Sequence, residues 1–245
     1  MRLRHACLPA SACGLICHAA FAGPPFLTDD PEPTDLGHWE IYGPQLEAEG
    51  RSRTFEGTAG AELNYGAAPD LQLTLGLPAA WSHSPGDWQL GAGDLKLSAK
   101  YRFVHDEDRG FSIAAFPGVT LPTAGKHLGA DHVTALLPVW FQQDSGPWSV
   151  FGGGGYAINP GTEQRNYWTG GLAISRQLSE AFLMGIEVDR QGADEISGNA
   201  ATSLGLGFIV SLPGSLRLLG SGGPSFEDHG GATSLHAFLA LGWDR

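Results

Sequence analysis

Residues 71–81 read LQLTLGLPAAW, in which apolar side chains alternate with polar or small ones. Successive side chains of a β-strand point to opposite faces, so this pattern predicts a strand with one dry face and one wet face. Residues 95–103 (LKLSAKYRF) and 182–189 (FLMGIEVD) repeat the alternation. From Trp39 to Trp243 the chain reads as about a dozen such strands.

The breaks between these strands are of two kinds. Tight breaks rich in Gly, Pro and Asp lie near residues 66–70, 105–110, 144–147, 177–180 and 213–214. Breaks that are mostly longer and more polar lie near residues 49–53, 82–87, 123–131, 159–166, 191–198 and 221–231. Because the two kinds alternate, we expect an even number of strands, with both termini at the end that carries the short turns.

Strand length separates two architectures that share this alternation. Strands of a soluble sandwich usually stop near five or six residues, whereas tilted membrane-spanning strands need about 10. Many of the runs reach the second length, which favours an all-β fold: a transmembrane antiparallel up-and-down β-barrel of about twelve strands over residues 38–245. A soluble periplasmic sandwich remains the structural alternative.

The first residues predict export. Arg2 and Arg4 precede a weakly apolar core, and Ala20-Phe21-Ala22 forms a small-residue cleavage site. We therefore expect residues 1–22 to be a cleaved signal peptide that directs the protein to the outer membrane of a Gram-negative cell. Residues 23–37, rich in proline, are expected to form a periplasmic segment in which Thr28-Asp29-Asp30 is an extended tether rather than a calcium site.

Composition excludes several classes of function. Cys7, Cys13 and Cys17 all lie in the predicted signal peptide, so the mature chain has no disulfide and no cysteine metal site, and the residues before Cys17 do not suit a lipid anchor. The net charge is −12, and loss of the two leader arginines makes it −14, which disfavours binding to nucleic acid. Mean hydropathy is −0.09, as suits a barrel with a polar lumen.

Several stretches resemble a family of outer-membrane proteins named for the meta pathway of phenol degradation. They are PFLTDDPEP at 25–33, GHWE at 37–40, GDLKLSAKYRF at 93–103 and LPTAG at 121–125. The resemblance implies a porin-like or transporter-like barrel, sometimes linked to the uptake of aromatic compounds, and it carries no catalytic residues and no established substrate. We expect no cofactor. The chain departs from many such barrels by ending GWDR rather than on an aromatic residue, which weakens the expected signal to the barrel assembly machinery.

Alternation places nine charged side chains on the lumen side of the barrel: Glu40, Glu56, Glu62, Lys96, Lys100, Arg102, Glu187, Asp189 and Arg217. Two interpretations stay open. The charges form an eyelet that selects solutes, or they form internal salt bridges that fill a narrow, closed barrel.

The other chemical motifs favour structural roles. Most aromatic residues are expected in girdles at the two membrane interfaces, while Trp140 is expected to point inward. Glycines 152–155 lack the helix and lysine of a phosphate loop. A metal site could be drawn from His127, Asp131 and His132, or from His229 with its acidic neighbours, but polar loops are the simpler interpretation and we expect no metal.

The sequence thus predicts a non-enzymatic channel for the passive uptake of small solutes, including hydrophobic or aromatic ones. Its expected partners are outer-membrane lipid, those solutes and the assembly machinery. A non-conducting structural barrel is the first alternative. A lipid-modifying enzyme is the second, and it would require inward-facing Ser98 and His236 to act together.

Overall fold

A computed structural model describes residues 25–51, 53–125, 128–230 and 233–245. These residues form strands and one short 3-10 helix, at Asp228–Gly230. The strands are β1 (Trp39–Arg51), β2 (Thr54–Ala68), β3 (Leu71–Ser84), β4 (Asp87–Ala92), β5 (Leu95–Asp106), β6 (Phe111–Ala115), β7 (Gly118–Leu121), β8 (Thr134–Ser145), β9 (Trp148–Ile158), β10 (Tyr167–Ser179), β11 (Phe182–Gln191), β12 (Ala201–Leu212), β13 (Leu216–Glu227) and β14 (Thr233–Asp244).

The sheet closes on itself, because β1 pairs with both β2 and β14, with Ile41 opposite Trp243. Every pair of neighbouring strands is antiparallel. Two wall strands are interrupted: β4 and β5 flank residues 93–94, and β6 and β7 flank residues 116–117, where Pro117 has no N–H to donate. The wall therefore has twelve strands, and the predicted fold class is confirmed.

The two ends of the barrel differ in their connections. At what we call the short-turn end, connections of two to four residues run through residues 69–70, 107–110, 146–147, 180–181 and 213–215. Positive φ angles at Asp70 (58°), Gly146 (58°) and Gly214 (81°) let the chain reverse so tightly. Both barrel termini lie at this end, where the Trp39 N–H donates to the Arg245 carbonyl at 2.7 Å.

The opposite end, called the long-loop end, departs from the expected breaks at three places. The connections near residues 49–53 and 82–87 are tight, because pairing continues to Arg51 with Thr54 and to Ser84 with Asp87. The break expected from residue 221 starts only after Glu227. Residues 221–224 (SGGP) belong to β13, but glycine has no side chain and so gives no apolar–polar alternation from which a strand could be predicted. A Cβ on Gly223 would lie 1.8 Å from the Leu204 carbonyl oxygen.

Apolar side chains cover the outside of the barrel and polar ones fill much of the inside. Outward-facing Leu73, Ile186 and Leu206 are about half exposed. Inside, the Gln72 amide donates to Asn64 at 2.9 Å, and the Thr74 hydroxyl donates to the same oxygen at 2.6 Å. This distribution is the reverse of a soluble protein, in which such an apolar surface would face water.

No helix among the described residues is long and apolar enough to cross a membrane.

Replacing Ile186, which is 60% exposed at the middle of β11, by Arg tests whether the outer face contacts lipid. We expect Ile186→Arg to lower the free energy of unfolding in lipid vesicles by about 2–4 kcal/mol, since a cation at mid-membrane depth is costly. Denaturant titration with gel-shift detection of the folded barrel measures this. The matched control is Ile196→Arg, at a 68% exposed position in the loop 192–200; equal losses in both variants would contradict a lipid-facing wall.

Candidate functional site

Residues 25–34, here called the N-terminal strap, cross the inside of the barrel. The Pro25 carbonyl accepts a hydrogen bond from the Ser221 hydroxyl of β13, and the Thr34 N–H donates to the Gln72 side chain of β3 at 2.8 Å. Asp30 is 1% exposed. The expected periplasmic tether is therefore wrong for these residues, because their side chains and backbone meet the inward-facing groups of the barrel.

The beginning of the strap is held by an apolar pocket on β9 to β12. The Phe26 ring packs edge-on against Phe151, with 5.6 Å between ring centroids, and both contact Ala173 in one buried cluster. Glycines make the space: a Cβ on Gly185 or Gly207 would lie 2.7 or 2.6 Å from the Phe26 ring. A side chain at either position would therefore push Phe26 out of its pocket.

Glu187 of β11 fixes the next part of the strap. Its two carboxylate oxygens accept hydrogen bonds from the Leu27 and Thr28 N–H groups, each at 3.0 Å. The side chain is buried, and a Cβ on Gly205 would lie 2.6 Å from its Oε1 atom. A buried carboxylate needs such donors, and the strap backbone supplies them.

Cations of β5 hold the second half of the strap. Lys100 Nζ lies 3.0 Å from Asp29 Oδ1 and 3.3 Å from Asp30 Oδ1, and it also donates to the Glu32 carbonyl at 3.4 Å. Arg102 pairs with the Glu32 carboxylate and with Asp70, the latter at 2.7 Å. The strap thus supplies the acidic partners that these inward-facing cations require.

A second ionic cluster lies at the short-turn end. Arg217 pairs with Glu40 and, at 2.6 Å, with Asp244, while the Tyr42 hydroxyl donates to Glu40 at 2.7 Å. Beside this ionic cluster, an inward apolar cluster contains Tyr42, Leu183, Ile209, Leu219 and Ala240. These groups fill the part of the lumen next to β11, β12, β13, β14 and β1.

The lumen is packed at the depth of the strap. Inward-facing Gln142, Ser149 and Ser175 are each 1% exposed or less, as closely shielded as a protein core. Lys100 and Glu187, which belong to distant strands, are likewise buried against the strap. Strap and wall together therefore shield the inward side chains of this half from water.

A cavity of about 1180 Å³ lies between the strap and the long loops. We call it the vestibule. Leu27 and Asp29 of the strap contribute to its lining. Its acidic lining residues are Asp29, Glu49, Asp131, Asp189 and Asp194, and the lysine among its described lining residues is Lys96.

The nine predicted lumen residues do not form one ring. Three of them, Lys100, Arg102 and Glu187, bind the strap. Glu40 and Arg217 pair at the short-turn end, and Glu62 accepts from the Asn64 amide at 3.1 Å. Lys96 and Asp189 line the vestibule, and Glu56 is exposed near its rim, opposite Glu49.

Asp94 organises the long loop between β7 and β8, a role that the sequence analysis did not assign to it although it lies in the family-like stretch 93–103. Its two carboxylate oxygens accept hydrogen bonds from the Ala124 N–H at 2.8 Å and the Ala130 N–H at 2.7 Å. The Leu95 N–H donates to Thr123 Oγ1 at 3.0 Å. Asp94 lies in the interruption between β4 and β5, so this gap in the wall is where the loop is fastened.

Three further residues were predicted to face inward: Trp140, Ser98 and His236. Trp140 does point inward: it is 5% exposed and lines the vestibule. Ser98 and His236 also line it, but the His236 ring nitrogens have no hydrogen-bond partner among the described residues, so no serine–histidine pair is formed.

The metal candidates divide between the two long loops. His127 falls outside the described residues. His132 contacts the Asn159 side chain at 3.0 Å. In the part of the chain that the structure describes, no group of three or more His, Cys, Asp or Glu side chains could hold a metal. Near His229, a hydrogen bond from Arg190 holds the pKa of the exposed Asp228 carboxyl below its usual range.

Replacing Asp94 by Ala should release the loop 122–133. Trypsin measures this, since Lys126 is the only lysine or arginine between residues 110 and 164. We expect cleavage after Lys126 to become about tenfold faster, because two charge-assisted hydrogen bonds are lost. Asp131→Ala removes an exposed carboxylate from the same loop and serves as the control; equal rates for wild type and Asp94→Ala would show that Asp94 does not hold the loop.

Solved structures with the same fold include outer-membrane channels and porins. An outer-membrane channel from Pseudomonas putida F1 matches with a TM-score of 0.65 and 15% identity, over 88% of this chain and 98% of that one. The NanC porin matches at 0.61 and 8% identity, and the KdgM porin in complex with disordered oligogalacturonate at 0.58 and 9%, each over 84% of this chain and 98% of the other. At these identities the matches establish the fold alone.

Comparison with curated protein sequences finds no match. The profile of a protein family does match, over residues 54–239, which is more than half of the chain and begins after the strap. That family is described by the MetA-pathway of phenol degradation. The chain therefore belongs to this family, and it has the fold of an outer-membrane β-barrel channel.

Proposed function

We propose that the protein is an outer-membrane channel for the passive uptake of small solutes. The observation that carries this proposal is the vestibule: about 1180 Å³ of space inside a closed barrel, lined by polar, charged and aromatic side chains. That volume suits a small molecule. Membership of a family described by phenol degradation, and a fold shared with channels and porins, support the same conclusion.

The charges of the vestibule favour cations and neutral solutes over anions. Asp29 is paired with Lys100, but the other four lining carboxylates still outnumber the lysine among the described lining residues. A cleft lined by charge of one sign raises the local concentration of counter-ions. We therefore assign the vestibule an attraction for cations.

Aromatic side chains give the vestibule its second property. Phe116, Trp140 and Tyr167 line it, and rings of this kind pack well against aromatic solutes. The carboxylates of the same lining repel an aromatic anion. Neutral phenols and aromatic amines therefore fit better than aromatic carboxylates.

A structural barrel that does not conduct is the second candidate. The observation that favours it is the packing of the lumen at the depth of the strap, where Ser149 and Ser175 are shielded from water. Conduction then requires that this packing opens at least transiently.

Conductance in planar bilayers tests the proposal. We expect discrete open events with cation selectivity, read from the reversal potential in a salt gradient. Asp189→Asn should reduce that selectivity, because it removes a vestibule carboxylate. Asp228→Asn makes the same change outside the vestibule and should leave the cation selectivity unaltered. A folded, inserted barrel that never conducts would instead establish the structural role.

Solute block tests the aromatic preference. Phenol and benzylamine, added at the long-loop side, should interrupt open events at lower concentration than benzoate, because benzoate is repelled by the vestibule carboxylates. Trp140→Leu keeps an apolar side chain but removes an aromatic ring from the lining, so it should weaken block by both phenol and benzylamine. Equal block by all three solutes, or block by benzoate alone, would contradict the assignment.

A further inference from the structure

We propose that the N-terminal strap is a gate: it leaves the lumen as a unit, pivoting near Gly37, and its docked position is the closed state. The inference rests on the channel function proposed above.

The two ends of the strap are attached differently. After residue 34 the chain is tied to the wall by backbone hydrogen bonds: the Gly37 N–H donates to the Gly66 carbonyl at 2.8 Å, and the Gly66 N–H donates to the His38 carbonyl at 3.1 Å. Among the described residues, no backbone-to-backbone hydrogen bond joins residues 25–34 to a strand. The strap can therefore leave without breaking the sheet.

Gly37 bounds the pivot on the wall side, because its own N–H is held by the Gly66 carbonyl. Its φ angle is +79°, which a side-chain-bearing residue rarely adopts, and nothing lies within 4 Å of the position where a Cβ would be. It lies just before β1, at the short-turn end. Ten extended residues reach about 30 Å, so a strap that pivots here can clear the lumen toward that end.

The contacts of the strap suit reversible release. Lys100, Asp29 and Asp30 are paired when the strap is docked. On release all three would face lumen water, and the hydration regained would offset much of the lost attraction. The two N–H groups bound by Glu187 would likewise exchange that partner for water. Phe26, in contrast, must leave an apolar pocket, so its burial favours the closed state.

Docking places the strap across the path from the vestibule to the short-turn end. Leu27 and Asp29 line the vestibule, while Phe26 and Asp30 are buried beneath. The strap contacts β9 to β13 on one side and β5, β3 and β2 on the other. A solute that leaves the vestibule therefore meets the strap first.

A reversible disulfide tests whether the strap must move. Thr28 Oγ1 lies 2.2 Å from the position of a Cβ on Gly171, so in the variant with Thr28→Cys and Gly171→Cys the two side chains meet across strap and wall, and the strap must shift slightly for them to join as a disulfide. Apart from the predicted signal peptide the chain has no cysteine to interfere. We expect the oxidised protein to be silent in a planar bilayer and to conduct after reduction with dithiothreitol. Wild-type protein under the same oxidant and reductant is the control.

A charge variant provides a second, independent measurement. Lys100→Gln leaves Asp29 and Asp30 docked without their cation, so the fraction of time spent open should rise by about tenfold or more. Arg190→Gln removes a salt-bridged cation that faces Asp228 outside the lumen and should leave that fraction unchanged. Heat-modified mobility on gels confirms that each variant is a folded barrel before it is recorded.

The outcomes separate the gate from the channel. Conduction by the oxidised cysteine pair at the wild-type level would overturn the gate while the channel function stands. An unchanged open fraction in Lys100→Gln would also overturn it. If wild type, reduced cysteine pair and Lys100→Gln are all folded, inserted and silent, the channel function itself fails.

Discussion

The structure depends on one constraint: inside a membrane every backbone N–H and C=O group must find its partner within the protein. A sheet meets this requirement only by closing, and the pairing of β1 with β14 closes this one. Where the wall is interrupted, backbone bonds repair it: the Gly93 N–H donates to the Pro78 carbonyl at 2.8 Å, and the Phe116 N–H donates to the Pro138 carbonyl at 3.1 Å. Closure then creates an interior that the chain must fill.

The N-terminal strap fills much of that interior. Lys100 and Glu187 are both buried and charged, so each needs a partner. The strap brings carboxylates to Lys100 and backbone N–H groups to Glu187. Glycines of β11 and β12 leave room for it. The strap is therefore an integral part of the lumen.

The same pairing sets the charge of the vestibule. The sequence left two interpretations of the lumen charges open, an eyelet or internal salt bridges, and the structure divides the residues between the two positions. Lys100, Arg102 and Arg217 lie in ion pairs within the packed half, whereas Lys96 and Asp189 line the vestibule. Most wall cations are paired in the packed half, so carboxylates dominate the lining of the vestibule.

The sequence by itself determined the barrel, because a side-chain period of two and strands of membrane-spanning length are local properties of the chain. It also determined which side chains face inward, since alternation fixes the face of each residue on a strand. It failed where glycine hid a strand, at residues 222–223, and where the Pro-rich start looked like a solvent-exposed tether. Only the tertiary structure decided that Asp29, Asp30 and Glu32 meet Lys100 and Arg102, about 70 residues later in the chain. Complementary charge was visible in both segments, but their meeting depends on barrel closure, which places the strap and β5 in one enclosed space.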